Sequence, residues 1–120
     1  MEDFVPFDIA KKLKEKGFNC PCIGHYVNNQ LYIAHYQCAF HSDKDESCDA
    51  PTIFQVLKWL REKKRIDAGA VWDNRDGKWI GYINEMDMPD LVGEYVLPNT
   101  YDAYELAALA GIEYVLNNLI

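Results

Sequence analysis

Cysteine and histidine bring the widest chemical reach to this chain, and five of them fall close together: Cys20, Cys22, His25, Cys38 and His41. Cys22-x2-His25 and Cys38-x2-His41 repeat one spacing, and two turn-held thiolate–imidazole pairs have the donor set of a tetrahedral zinc site. Two features oppose it. On an extended strand Cys22 and His25 point to opposite faces, and Cys20-Pro21-Cys22 leaves one residue between thiols, short for a zinc knuckle. The expectation is therefore no metal and no cofactor, with the cysteines acting as small buried hydrophobes. A nucleophilic set can be drawn from Cys22 or Cys38, His35 and Asp49, but no nucleophile elbow or helix-start cysteine supports it. No Gly-rich run matches a phosphate loop. Glu85, Asp87 and Asp90, beside Met86 and Met88, lack the Gly and Glu of a calcium loop. With no catalytic set assembled, the chain is expected not to be an enzyme.

The elements that must position such residues centre on Ala50–Arg65, the strongest helix signal. Thr52 and Gln55 have capping-box spacing, Ile53, Val56, Leu57 and Leu60 form one apolar stripe with Trp59 on its border, and Lys63, Lys64 and Arg65 complement the macrodipole. An earlier helix is predicted over Pro6–Lys16, with Val5, Ile9, Ala10 and Leu13 on one face. Gly17 ends it and Phe18 folds back over its last turn. Two Tyr-, Val- and Ile-rich runs, Cys22–Val27 and Gln30–Cys38, flank Asn28-Asn29 and read as a hairpin. Its second strand puts Leu31, Ile33 and His35 on one face and Tyr32, Ala34 and Tyr36 on the other. His41–Asp49 reads as a polar loop.

A second hairpin is predicted from Ile66–Trp72 and Lys78–Asn84 around Asp76-Gly77, pairing Trp72 with Trp79 and marking Gly69 and Gly81 as bulges or close approaches. Glu85–Asn99, with two prolines and a glycine, reads as an irregular loop with a short strand at Glu94–Leu97. A last helix starts from Thr100 as N-cap and turns Tyr104, Ala108, Gly111, Ile112, Val115 and Leu119 to one side. The order α-β-β-α-β-β-α implies an α+β fold, one globular domain over 1–120, with helices on one face of a mostly antiparallel sheet.

Charge narrows the partners. The net −7 is uneven: twelve Lys and Arg balance twelve acids in residues 1–79, and residues 80–120 hold seven acids and no base. An acidic balance disfavours nucleic acid. The alternative is a nucleic-acid-binding accessory protein using the Lys58, Arg61, Lys63, Lys64 and Arg65 face. A third alternative is a small zinc-stabilised domain on Cys22, His25, Cys38 and His41. No apolar run approaches a membrane span, and MEDFVPFDIAKK lacks a signal peptide's basic start, so a cytoplasmic location with free thiols is expected. Tyr26, Tyr32, Tyr36, Trp72, Trp79 and Tyr82 exceed what one thin core holds. Tyr32, Tyr36, Trp72, Trp79 and Tyr82 are therefore the predicted interaction residues, for a protein partner or a homodimer.

Three stretches, FDIAKKLKEKGFNCPCIGHYVNN, APTIFQVLKWLREKK and YDAYELAALAGIEYVLNNLI, together resemble a recurrent group of small uncharacterised proteins of gut anaerobic bacteria, often carried on phage or other mobile elements. That resemblance covers both ends and the middle helix and transfers no catalytic residues. It implies a cytoplasmic accessory protein serving element–host interaction.

Overall fold

A left-handed glycine shows how closely local chemistry shapes this chain. In the computed structural model, which describes residues 3–33, 47–88 and 93–120, α1 (Phe7–Glu15) stops at Gly17, where φ is +90°. The Phe18 N–H then reaches the Leu13 carbonyl at 3.0 Å and the Gly17 N–H reaches that of Lys14 at 3.2 Å. This is the Schellman pair, and Phe18 and Leu13, the two positions whose apolar contact accompanies that motif, are both buried. Ile9, Ala10 and Leu13 form the buried face, as the spacing predicts.

The architecture is α+β, in the order α-β-β-β-α-β-β-β-α with all strand pairing antiparallel. It divides into two compact units, Met1–Thr52 and Ile53–Ile120. In the first, β1 (Gly24–Val27) lies between β2 (Gln30–Ile33) and β3 (Ser47–Ala50). Asn28 and Asn29, at φ +51° and +68°, supply the turn between β1 and β2. Gly24 is required where it stands: a Cβ there would come within 2.7 Å of the Phe4 ring and 2.9 Å of the Ala50 carbonyl oxygen.

The second unit starts with α2 (Ile53–Trp59), which widens into a π-helical segment, Leu60–Lys64, and ends on left-handed Arg65. Ile53, Val56, Leu57 and Leu60 are buried, the predicted stripe, and Trp59 joins them at 5% exposed. Strands β4 (Ile66–Asp73), β5 (Lys78–Glu85) and β6 (Glu94–Tyr101) form the sheet in that order. Helix α3 (Tyr104–Asn118) buries Ala107, Ala108, Gly111, Ile112, Val115 and Leu116. A Cβ on Gly81 would meet the Ala107 carbonyl oxygen at 3.1 Å, and the β5–β6 register shifts there. The expected close approach and the bulge coincide at Gly81, and Gly69 is also closely approached, since a Cβ there would lie 3.2 Å from the Tyr104 hydroxyl.

Several expectations are corrected. Each sheet gains a third strand. Ser47–Ala50 takes part of the segment read as a polar loop, because alternation there buries Cys48 and Ala50 and turns Ser47 and Asp49 outward. Glu94–Tyr101 is a full strand, longer than the short Glu94–Leu97 read inside a loop. Pro98 falls within the bulge on an edge strand, where its missing N–H breaks no regular ladder. Thr100 therefore belongs to β6 and does not cap the last helix. Ala103 occupies the N-cap, and Leu119 is the C-cap. Leu116 takes the place expected of Leu119 in the buried set. In the first hairpin β1 begins at Gly24 rather than Cys22, and Ile33 is 59% exposed. The second strand's extension to Cys38, with His35, Ala34 and Tyr36, lies outside the described residues, as do 41–46 of the expected polar loop.

Candidate functional site

Four rings in the second unit follow one another across four elements. Trp72 and Trp79 are cross-strand partners on β4 and β5, in edge contact at 5.2 Å between centroids. Trp79 meets Tyr104, at the start of α3, edge-on at 5.3 Å, and Tyr104 stacks on Phe54 of α2 at 6.4 Å. The inner two rings are half-buried, and the outer two stay open, Trp72 at 49% and Phe54 at 54%. Edge and offset geometries of this kind hold aromatic groups rigid, so the row presents apolar area with little rotamer freedom left to lose.

Of the predicted interaction residues, Trp72 and Trp79 meet in this row. Tyr82 lies on β5 one pairing position away from Gly81, on the opposite side of the sheet. Tyr32 stands exposed on β2 in the first unit, and Tyr36 lies outside the described residues. Sequence reasoning missed Phe54 and Tyr104. The signal for Phe54 was present: it falls off the stripe of Ile53, Val56, Leu57 and Leu60, a large ring facing away from the helix's buried side.

The first unit gathers the polar chemistry. His25 is buried, and its Nδ1 lies 3.1 Å from the Asp49 carboxylate, across the β1–β3 pairing. Tyr26, its neighbour, donates its hydroxyl to the Val5 carbonyl at 2.7 Å. Cys22 donates its thiol to the Cys20 carbonyl at 3.2 Å. Burial, reinforced by the nearby Asp49 charge and then Cys20, pushes the Cys22 thiol from 9.0 up to about 12. It stays protonated near neutral pH and has neither a nucleophile's nor a metal ligand's thiolate character. Cys20, Cys22 and Cys48 take part in no disulfide. Among the described residues no three His, Cys, Asp or Glu side chains converge on a metal-sized site. Cys38 and His41, the other half of the repeated spacing, lie outside the described residues.

The basic stretch is exposed throughout, at Lys58, Arg61, Lys63, Lys64 and Arg65. Three of these already have local partners. Lys58 is 3.9 Å from Glu62, Lys64 lies over the Trp59 ring at 5.4 Å, and Arg65 pairs with Asp87 at 3.2 Å. The Trp59 ring is packed inward, so this face lacks the open stacking platform that single-stranded nucleic acid uses. Among the described residues no helix is long and apolar enough to cross a membrane. No family model, curated protein or solved structure matches the chain.

Proposed function

We propose that this chain is a non-enzymatic protein-interaction domain, an acidic cytoplasmic accessory protein of the kind carried by phage or other mobile elements. The observation that carries the reading is the aromatic row Trp72–Trp79–Tyr104–Phe54, rigid inside and half exposed at both ends. Rings held this way are the usual anchors of protein interfaces, because tryptophan and tyrosine add wide apolar contact at small entropic cost. The accessory role follows from the family resemblance, and the acidic last third sets it apart from nucleic-acid binders.

The test is affinity capture from bacterial lysate with the wild type and a Phe54→Ala/Trp72→Ala double variant. A stoichiometric protein partner retained by the first and lost by the second is the expected result. Unchanged capture by the variant rejects the row as the contact surface. Turnover of a common hydrolase substrate that one point mutation abolishes would sink the non-enzymatic reading. Salt-dependent oligonucleotide binding lost on Lys63→Glu with Lys64→Glu would replace it with the basic-face alternative.

A further inference from the structure

The second sheet has two faces, and α3 covers one. Directly paired residues share a face. The pairs Ala68–Ile83 and Ala70–Gly81 lie on the α3 side, so Val71–Ile80 and Tyr82–Val96 lie together on the other. Val71 is 39% and Val96 54% exposed, with Ile80 and Tyr82 half-buried between them. These four form one apolar patch across three strands.

Its rim is acidic. The same register puts Asp67 and Asp73 of β4 and Glu94 of β6 on this face, with Lys78 opposite Asp73. Asp76 and Arg75 stand in the β4–β5 turn and Asp102 directly after β6. Five carboxylates thus surround two cations, and both cations are engaged. Arg75 Nε lies 3.8 Å from Asp73, and Lys78 Nζ lies 3.3 Å from Asp102. Among the described residues no cation pairs with Asp67, Asp76 or Glu94.

Charge and area together select the occupant. A second copy would press this acidic rim against itself, and nucleic acid or anionic lipid would meet carboxylates. Three strands about 4.8 Å apart, each rising ~3.3 Å per residue over its eight residues, give a footprint of roughly 400 Å². That is about half of one partner's share in a standard interface, a size that suits one segment rather than a domain. We propose that this face docks a cationic amphipathic segment of another protein. Its Lys or Arg side chains meet Asp67, Asp76 and Glu94, and its apolar side chains rest on Val71, Ile80, Tyr82 and Val96. This rests on the protein-interaction reading and names the partner's chemistry.

The experiment titrates the full chain, ¹⁵N-labelled, with a short peptide alternating lysine with valine. Salt-dependent binding is expected, with amide shifts centred on Val71, Ile80, Tyr82 and Val96. An analogue with glutamate for lysine should bind about tenfold more weakly or worse, and Asp67→Lys with Glu94→Lys should lose about tenfold. Leu106→Ala, at an exposed position on α3 across the sheet, should leave the affinity unchanged. Shifts centred on Phe54 and Tyr104 or on Lys58–Arg65, equal binding of the analogue, or no binding at low salt would each overturn the assignment. So would sedimentation showing that Val96→Glu dissolves a homodimer. If the peptide fails while Phe54→Ala/Trp72→Ala still abolishes partner capture, this face is wrong and the interaction reading stands. If capture is also unchanged, both fall.

Discussion

Both units run a helix and then three antiparallel strands, yet they stabilise their sheets by different means. The first unit is centred on β1, a strand of four residues, and places specific polar contacts among its buried groups: His25 against Asp49, and Tyr26 on the Val5 carbonyl. The second has strands of eight residues, an added helix, and an aliphatic interior of Leu57, Leu60, Ile83, Ile112 and Val115. Short strands bury few side chains, so each buried polar pairing carries more of the specificity. A longer sheet has apolar residues left over once one face is covered, and these are the exposed rings and valines that suit a partner.

The largest break falls on the second unit. Leu57→Ala removes a side chain only 3% exposed from the α2 stripe and should cost about 2–5 kcal/mol. Urea unfolding followed by tryptophan fluorescence reads this unit directly, since Trp59, Trp72 and Trp79 all lie in it. A loss under about 1 kcal/mol would mean that the stripe is not the packing face. The matching test in the first unit is Asp49→Ala, which strips a partner from a buried imidazole while deleting little apolar contact. Its expected cost is about 1–3 kcal/mol, the penalty of a buried polar ring that loses the carboxylate beside it. Ring proton shifts of His25 that stay unchanged would show that the pair does not hold the ring.

The comparison also explains what could be read before any coordinates. Periodicity exposed the α1 and α2 stripes because each helix buries one side, and Gly17–Phe18 and Asn28-Asn29 carry their backbone geometry in their residue types. The Trp72–Trp79 pair followed from the Asp76-Gly77 turn, which sets the register. β3 was hidden because its inward residues, Cys48 and Ala50, are small and sit between polar ones. β6 was cut short at Leu97 because Pro98 reads as a breaker in one dimension. Whether a proline lies on an edge at a bulge depends on the neighbouring strand, which local sequence does not show. Of the site, the tryptophans were legible from the turn, but Phe54 and Tyr104 join them through tertiary packing, and Val96 fell in a short strand read without its sheet neighbours.

Alkaline pH should separate the polar contributions of the first unit from the apolar core of the second. The Cys22 thiol titrates at about 12 in the fold against 9.0 for an exposed thiol. The folded state therefore holds its proton more tightly, and this contribution is fully present below pH 9 and is lost as pH rises from 9 towards 12. By pH 10 the loss should reach about 1 kcal/mol. Tyr26, also raised mainly by burial, adds a loss of the same sign above pH 10. Urea midpoints across pH 8–11 check this, and Cys22→Ala should flatten the slope between 9 and 10. An unchanged slope would assign the alkaline loss elsewhere.

The smallest effect is expected at the basic end of α2, where the second unit resembles an anion-binding surface most. Lys58 and Glu62 stand 3.9 Å apart with side chains 68% and 56% exposed. A pair so open to solvent is screened, and ordering two long side chains offsets most of its attraction. Glu62→Gln should therefore change stability by about 0.3 kcal/mol or less, and by less still at high salt. The same substitution releases Lys58 and makes the Lys58–Arg65 surface more cationic without altering the Trp59 ring beneath it. If that surface binds nucleic acid, oligonucleotide affinity should rise in the variant and fall steeply with salt. The expectation here is no measurable binding by either protein at physiological salt, because the inward Trp59 offers no stacking face and Lys64 and Arg65 are engaged locally. A fluorescence-anisotropy titration of the variant and the wild type separates the outcomes. A gain in affinity on Glu62→Gln would transfer the functional surface from the aromatic row to this helix end.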